Sequence, residues 1–389
     1  MTFSKEKLCE TIRMLSVEIG PRQATSAAER AAAEYVQKTL LDFGLTPEVQ
    51  TYASINSFSK RLFTQELVSA AVLAAGMKST GQVRRFLGLA GLGLALHDVR
   101  LWHGRPALWD GLLPRGQTQN VVARIPARHT SQNRIVVVAH LDTSQDRITA
   151  HPKIVQYLPN FLGWMGIPVL LGGFMTLFAP DNRWTRFVKG SMVVHLLLGG
   201  VLSLIDEIGD PIAGANANAS GAAVLLGLAE YLAQNPLPST EVWCVFTGGA
   251  EAGCTGIEHF LQKHAAELWD ARFVVLNRVG TGELCWVTDH SLSPAVHYQP
   301  DADTACAAEI VARQHPEWGI MGRPMMTLDE LANVRQYNFK GLCLMGYDRV
   351  TGLSPNWHRE TDQIEHINPE AVHKAAEFTL ALLKKLDSG

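Results

Sequence analysis

The stretch Val137-Val138-Ala139-His140-Leu141-Asp142 decides how this chain is read. It closes the apolar run Arg134-Ile-Val-Val-Val-Ala139, the pattern of a strand buried on both faces in a parallel sheet covered by helices. The run ends in His-x-Asp, and the carboxyl ends of such strands are where these sheets place their chemistry. An imidazole there can ligate a metal while a carboxylate two residues on, Asp142, orients it. Alone, a histidine at a strand end is more often structural, so the weight falls on what accompanies it.

Residues 120–125 and 134–139 read as adjacent buried strands, and 241–247, 271–277, 284–289 and 341–345 continue the set. Helical patterns lie between them at 220–234, 255–268, 301–314 and 369–386. An amphipathic helix precedes them within 1–22, and a second opens at Ser26-Ala-Ala-Glu29 and stops at Gly44. This alternation predicts one domain over 1–389, a three-layer α/β/α sandwich on a mixed, mostly parallel sheet. His140, Thr247 and Asn277 then share one edge, at carboxyl ends of strands.

The 389 residues and 47% apolar content support a large core. A formal charge of −3, without runs of like charge, argues against nucleic acid as a partner. Six cysteines show no paired spacing, and Cys244, Cys285 and Cys343 fall inside strand patterns as small buried hydrophobes of a reducing compartment. Residues 1–22 lack the unbroken apolar core of a secretion signal, so a cytoplasmic location is expected, with membrane association as a variant of it.

That variant arises from two segments outside the alternation, 63–102 and 151–206. The first carries apolar runs at 67–77 and 86–96 around a turn with Lys78, Arg84 and Arg85. The second has no charged residue from Ile154 to Pro180 or from Gly190 to Ile205. Roughly 20 apolar residues cross a bilayer; the runs in 63–102 are too short, and Gly163, Gly166, Pro168, Gly172 and Gly173 interrupt the longest one. Both segments are expected to form apolar helical insertions. A lid or homo-oligomer interface is the first expectation, a peripheral membrane-facing patch the second, and spanning helices the last.

Four further motifs join the His140 strand in order: Ile19-Gly20-Pro21-Arg22, Gly214-Ala-Asn-Ala217-Asn-Ala-Ser-Gly221, Phe246-Thr-Gly-Gly-Ala250-Glu251-Ala-Gly253 and Trp357-His358-Arg-Glu-Thr361-Asp362. With them the chain resembles the di-zinc aminopeptidase family, which includes bacterial leucyl aminopeptidases, glutamate carboxypeptidases, the transferrin receptor ectodomain and glutaminyl cyclases. In that family two metals about 3.5–4 Å apart share a bridging carboxylate. The resemblance implies metal ligands at His140, Glu251 and His358, supported by Asp142 and Asp362. It also puts Ala217 at the bridging aspartate, Ala250 at the general-base glutamate and Asn277 at another aspartate ligand, with Arg278 adding a cation beside them.

A catalytic zinc usually needs three protein ligands and an open position. With these losses neither metal keeps three, so at most one zinc ion is expected, or none. The function expected is that of a zinc-aminopeptidase-like protein with a degraded dinuclear site, without ordinary peptidase activity, whose ligand would be a peptide or amide-like small molecule. One alternative is an active metallo-aminopeptidase or amide hydrolase with a single or rebuilt zinc site drawing on Asp206, Glu207, Asp210 or Cys254. Another is an active enzyme deliberately inactivated by alanine at 217 and 250. Trp357, Tyr347 and Arg349 are candidates for the cleft lining. The sequence contains no Gly-x-Ser-x-Gly elbow and no Walker-type loop.

Overall fold

The long apolar runs form the centre of the sheet. The computed structural model describes residues 3–102, 104–131, 133–293 and 296–388, with side chains throughout except at 159–165, 292, 293 and 296. Its strands are β1 (Glu48–Ile55), β2 (Arg115–Ile125), β3 (Asn133–His140), β4 (Thr240–Thr247), β5 (Arg272–Asn277), β6 (Glu283–Ser293), β7 (Val296–Tyr298), β8 (Met321–Met325) and β9 (Lys340–Tyr347). They lie in the order β1-β2-β4-β3-β5-β9-β6-β7, with β8 beside β6. The central four, β4-β3-β5-β9, are parallel, while β1, β2, β6 and β7 add antiparallel pairings outside them.

The expectation that 120–125 and 134–139 are neighbours is corrected here, because β4 lies between β2 and β3. The register pairs Val121 with Phe246 in antiparallel β2 and β4, and His140 with Thr247 in parallel β3 and β4. Burial explains the order. Val137 and Ala139 pack into one apolar layer and Val136 and Val138 into the other, so β3 needs a parallel neighbour on each side. The first residues of β2 are only partly covered, which suits a place farther out.

The helices are, in chain order, α1 (Lys5–Arg13), α2 (Ala27–Asp42), α3 (Phe58–Lys78), α4 (Gly81–Trp102), α5 (Pro152–Val155) and α6 (Leu158–Phe178). They continue as α7 (Arg183–Glu207), α8 (Gly221–Gln234), α9 (Thr255–His264), α10 (Ala302–Gln314), α11 (Leu331–Gln336) and α12 (Pro369–Asp387). Leu8 and Ile12 of α1, Val36 and Leu40 of α2, Leu225 and Leu228 of α8, and Phe378 and Leu382 of α12 fill one face of the sheet. Ile257, Phe260 and Leu261 of α9 and Val334 of α11 fill the other. The result is a three-layer α/β/α sandwich.

The two apolar segments form a four-helix bundle. Helix α3 packs along α7 and α4 along α6, with α3–α4 and α6–α7 contacts joining the pairs. The 11-residue runs in 63–102 underestimate these helices, because α3 and α4 extend through polar residues that point inward. Gln65, Glu66 and Ser69 of α3 and His97 and Asp98 of α4 are buried. His97 Nδ1 meets Gln65 Oε1 at 2.9 Å, and Gln65 Nε2 donates to the Leu94 carbonyl at 3.2 Å.

Small residues let α4 and α6 touch. A Cβ placed on Gly91 would lie 3.0 Å from the Gly173 Cα, and one on Gly173 would lie 2.8 Å from the Leu92 nitrogen. Only main chain meets it there, so no side chain can yield. Gly173→Val is therefore expected to lower stability by about 1–3 kcal/mol, the usual cost of overpacking. Thermal unfolding of the purified variant beside the unaltered chain measures it, and an unchanged midpoint would mean that this seam is not closed.

Candidate functional site

Strand ends bring the predicted residues to one edge. His140 ends β3, Thr247 ends β4 and Asn277 ends β5, and the loops that follow carry Asp142, Ala250, Glu251 and Arg278. One cleft is lined by His140, Ala250, Glu251, Asn277, Arg278 and His358. Its far wall comes from the foot of the bundle and is mostly apolar, with Phe58, Leu62, Trp102 and Leu158 beside Leu202 of α7. Trp357 lines it as expected, whereas Arg349 turns outward to pair with Glu283 at 2.8 Å.

Buried polar groups hold the loops together. Arg22 is fully buried and donates to the carbonyls of Leu141 (2.9 Å), Gly20 (2.7 Å), Ala213 (3.0 Å) and Gly214 (3.1 Å). The opening Gly20-Pro21-Arg22 motif thus ties the end of β3 to the 214–221 loop. Asp142 accepts from the backbone N–H of Ala250 (2.9 Å) and Glu251 (2.8 Å), while its Oδ1 lies 3.5 Å from His140 Nδ1. Asp362 accepts from the N–H of Asn216 (2.6 Å) and Ala217 (3.0 Å). Glu29, in the first turn of α2, accepts from Gly249 N–H at 2.8 Å and Thr25 N–H at 2.7 Å.

The 214–221 loop is bonded to the end of β5 and the residues after it although alanine stands at 217. Asn218 Nδ2 donates to the Leu276 carbonyl at 2.7 Å, its Oδ1 accepts from Arg278 N–H at 2.9 Å, and Ser220 Oγ accepts from Val279 N–H at 3.1 Å. Arg278 adopts a positive φ of 53° and sends its guanidinium inward, where it donates to Thr327 Oγ1 at 2.8 Å and lies 5.7 Å from the Trp357 ring centroid.

Glu251 and His358 meet, with Nε2 3.0 Å from Oε2, and Arg147 Nη2 lies 3.6 Å from the same oxygen. His140 lines the same cleft but does not close a ligand set with them. Among the described residues, the group whose His, Cys, Asp or Glu ligand atoms all lie within 4.8 Å of one another is His290, Asp329 and Cys343. There His290 Nε2 lies 3.1 Å from Asp329 Oδ2, and the ring stacks on Tyr298. Of the residues weighed for a rebuilt site, Asp206 reaches the cleft but bonds the N–H and hydroxyl of Thr149, Glu207 pairs with Lys60, and Cys254 lines the cleft as a buried thiol.

Arg147, Asp329 and Glu330 are cleft residues that sequence reasoning missed. None belongs to a motif, and each reaches the site through a loop or short helix. The Asp329-Glu330 pair just before α11 was the one available signal. Thr247 Oγ1 donates to Glu330 Oε1 at 2.6 Å, and burial raises that carboxyl to about 7.

Burial disfavours charge on both site histidines, with opposite outcomes. At His358 burial prevails over Glu251, Arg147 adds to it, and the pKa falls to about 4. At His140 burial is outweighed by Asp142, Glu251 and Glu330, and the pKa rises to about 9. Glu251 is held well below the carboxylate range, because His358, Arg147 and His140 overcome its burial. At neutral pH a neutral His358 therefore donates to an anionic Glu251.

The sequence model of peptidase family M28 matches residues 199–383. No curated protein matches the chain. Solved structures with this fold include a glutaminyl cyclase of Bacteroides thetaiotaomicron bound to N-acetylhistamine, at 15% identity and TM-score 0.58, covering 98% of each chain. BSAP, a zinc aminopeptidase of Bacillus subtilis, shows 15% identity and TM-score 0.59, with 99% of this chain and 95% of that one covered. A Zn-dependent exopeptidase of Parabacteroides distasonis shows 14% identity and TM-score 0.58, with 97% of each covered. The chain thus resembles M28 peptidases in sequence over 199–383 and shares the fold of zinc aminopeptidases and glutaminyl cyclases along nearly its whole length.

The two histidines predict a pH signature. His358 titrates at about 4 when folded against an ordinary 6.5, so the unfolded chain binds more protons between those values and the stability due to neutral His358 is lost as pH falls through them. His140 titrates at about 9, so its contribution is complete below 6.5 and is lost as pH rises toward 9. In denaturant titrations, the unfolding free energy of the unaltered chain relative to His358→Gln should decline from pH 6.5 to 4. Relative to His140→Gln it should decline from 6.5 to 9. Differences flat across both windows would show that these charge states are wrong.

Proposed function

We propose that this chain is a zinc-aminopeptidase-like protein that binds a peptide or amide-like small molecule in its cleft without ordinary two-metal hydrolysis. The fate of Glu251 carries the reading. The carboxylate that a metal would use is already engaged by the chain's own groups, His358 at 3.0 Å and Arg147 at 3.6 Å. Arg278 brings a second permanent cation into the same cleft, and like charge this close opposes a dication. Zinc is the metal that the likeness to zinc peptidases implies. The donor set does not fit two such ions, because alanine at 217 provides no bridge and asparagine at 277 no anionic ligand. One zinc on Glu251 and His358 is the most it offers.

Alanine at 250 removes the group that would take a proton from water, a role typically worth about 10²–10⁴-fold in rate. What remains suits binding. Arg278 and His140 supply donors for an amide carbonyl, and Phe58, Leu62 and Trp357 supply an apolar wall. Mono-zinc amide hydrolysis is the competing reading, favoured by the retained Glu251–His358 pair.

Metal analysis and amino-acid anilide assays separate the two. Purified chain should hold at most one equivalent of zinc and leave the anilides intact. Ala217→Asp, Ala250→Glu and Asn277→Asp combined should raise both zinc content and hydrolysis. Two zinc equivalents in the unaltered chain, or hydrolysis abolished by a chelator, would replace this reading with that of a working hydrolase.

A further inference from the structure

We infer that the four-helix bundle α3–α4–α6–α7 is embedded across a lipid bilayer, with the α/β/α domain at one membrane surface and the cleft at the bundle's foot. The bundle is built inside out. Its interior holds Gln65, Glu66, His97, Asp98, Thr176 and Lys189, all buried. Its outside exposes Leu67 of α3, Phe86 and Leu96 of α4, Phe174 of α6, and Leu198 and Val201 of α7. A water-soluble bundle reverses this pattern, since burying polar groups costs free energy and exposing large apolar patches invites association. In lipid the pattern is the stable one, because the solvent is apolar and polar groups gain by bonding to one another inside.

Length and ends agree with this. The helices run 21, 22, 21 and 25 residues, or about 31–38 Å at 1.5 Å per residue, matching a hydrocarbon core of roughly 30 Å. Helix α7 is long and apolar enough by itself to cross a membrane. At the tip, Phe178, Trp184 and Phe187 are exposed beside Lys78, Arg85, Arg183 and Arg186. Aromatic rings and basic side chains mark membrane interfaces. Arg84 satisfies the end of α6 by donating to the Thr176 and Ala179 carbonyls. At the foot, Ser57 and Lys60 bond Glu207, which anchors the start of α3 to the end of α7.

Connectivity permits the arrangement. Each insertion is a helical hairpin, so the chain crosses an even number of times and the described residues among 3–57, 104–157 and 208–388 remain on one side. The glycine seam joining α4 to α6 is the small-residue contact that lets helices associate where no hydrophobic effect drives them together. A second copy of the chain is the weaker occupant. All four helices expose apolar faces, and one partner would cover only one side of the bundle.

Membrane fractionation and sided labelling of the full chain test this. After an alkaline carbonate wash the protein should remain in the membrane pellet. In sealed membrane vesicles prepared in both orientations, a membrane-impermeant maleimide should reach the exposed Cys306 of α10 and the thiol introduced by Thr80→Cys, at the α3–α4 turn, from opposite faces. Release by carbonate, or labelling of both thiols from the same face, would overturn spanning. A detergent-free soluble dimer with its outer faces covered would overturn lipid as the occupant in favour of self-association.

Discussion

One buried guanidinium sets the geometry on which the rest of the site depends. Arg22 donates to main-chain carbonyls from three separate segments, which locks the opening of the chain, the end of β3 and the approach to the 214–221 loop into one unit. Burial draws its pKa down to about 10, with Asp362 and Asp142 nearby supporting its charge, so it stays protonated at neutral pH. Those two carboxylates extend the lock, Asp142 to the turn at Ala250 and Glu251 and Asp362 to the backbone at Asn216 and Ala217. Hydrogen bonds to charged groups contribute more than neutral ones, and leaving any of these buried partners unpaired would cost free energy.

Protein groups thus tie these loops to one another. Their positions are fixed by bonds to the main chain, which are indifferent to the side chains at 217 and 250. This explains how alanine at both positions coexists with loops whose main-chain bonds are in place. The bonds that shape the loops and the side chains that face the cleft are thus separable parts of the site.

The sandwich and the edge that carries the site were legible because their signals are local. Unbroken β-branched runs mark central strands, and His140, Thr247 and Asn277 stand at their ends. Strand order was not legible between 120 and 139, because proximity in sequence suggested a pairing that β4 interrupts. Arg147 and Glu330 were missed because they enter the cleft from loops whose course no periodicity encodes. The 11-residue apolar runs in 63–102 understate α3 and α4, because polar residues interrupt the apolar pattern there. In α3 and α4 those polar residues are the inner face, so the helices continue through them.

The foot of α4 supplies Trp102 and the start of α6 supplies Leu158 to the cleft wall, and the same two helices touch backbone to backbone at Gly91 and Gly173. Two rods in contact along their length cannot be respaced at one end alone. The width of the cleft is thus dictated in part by residues outside its lining, and enlarging a glycine in the seam would resize the cleft while leaving every residue inside it unchanged.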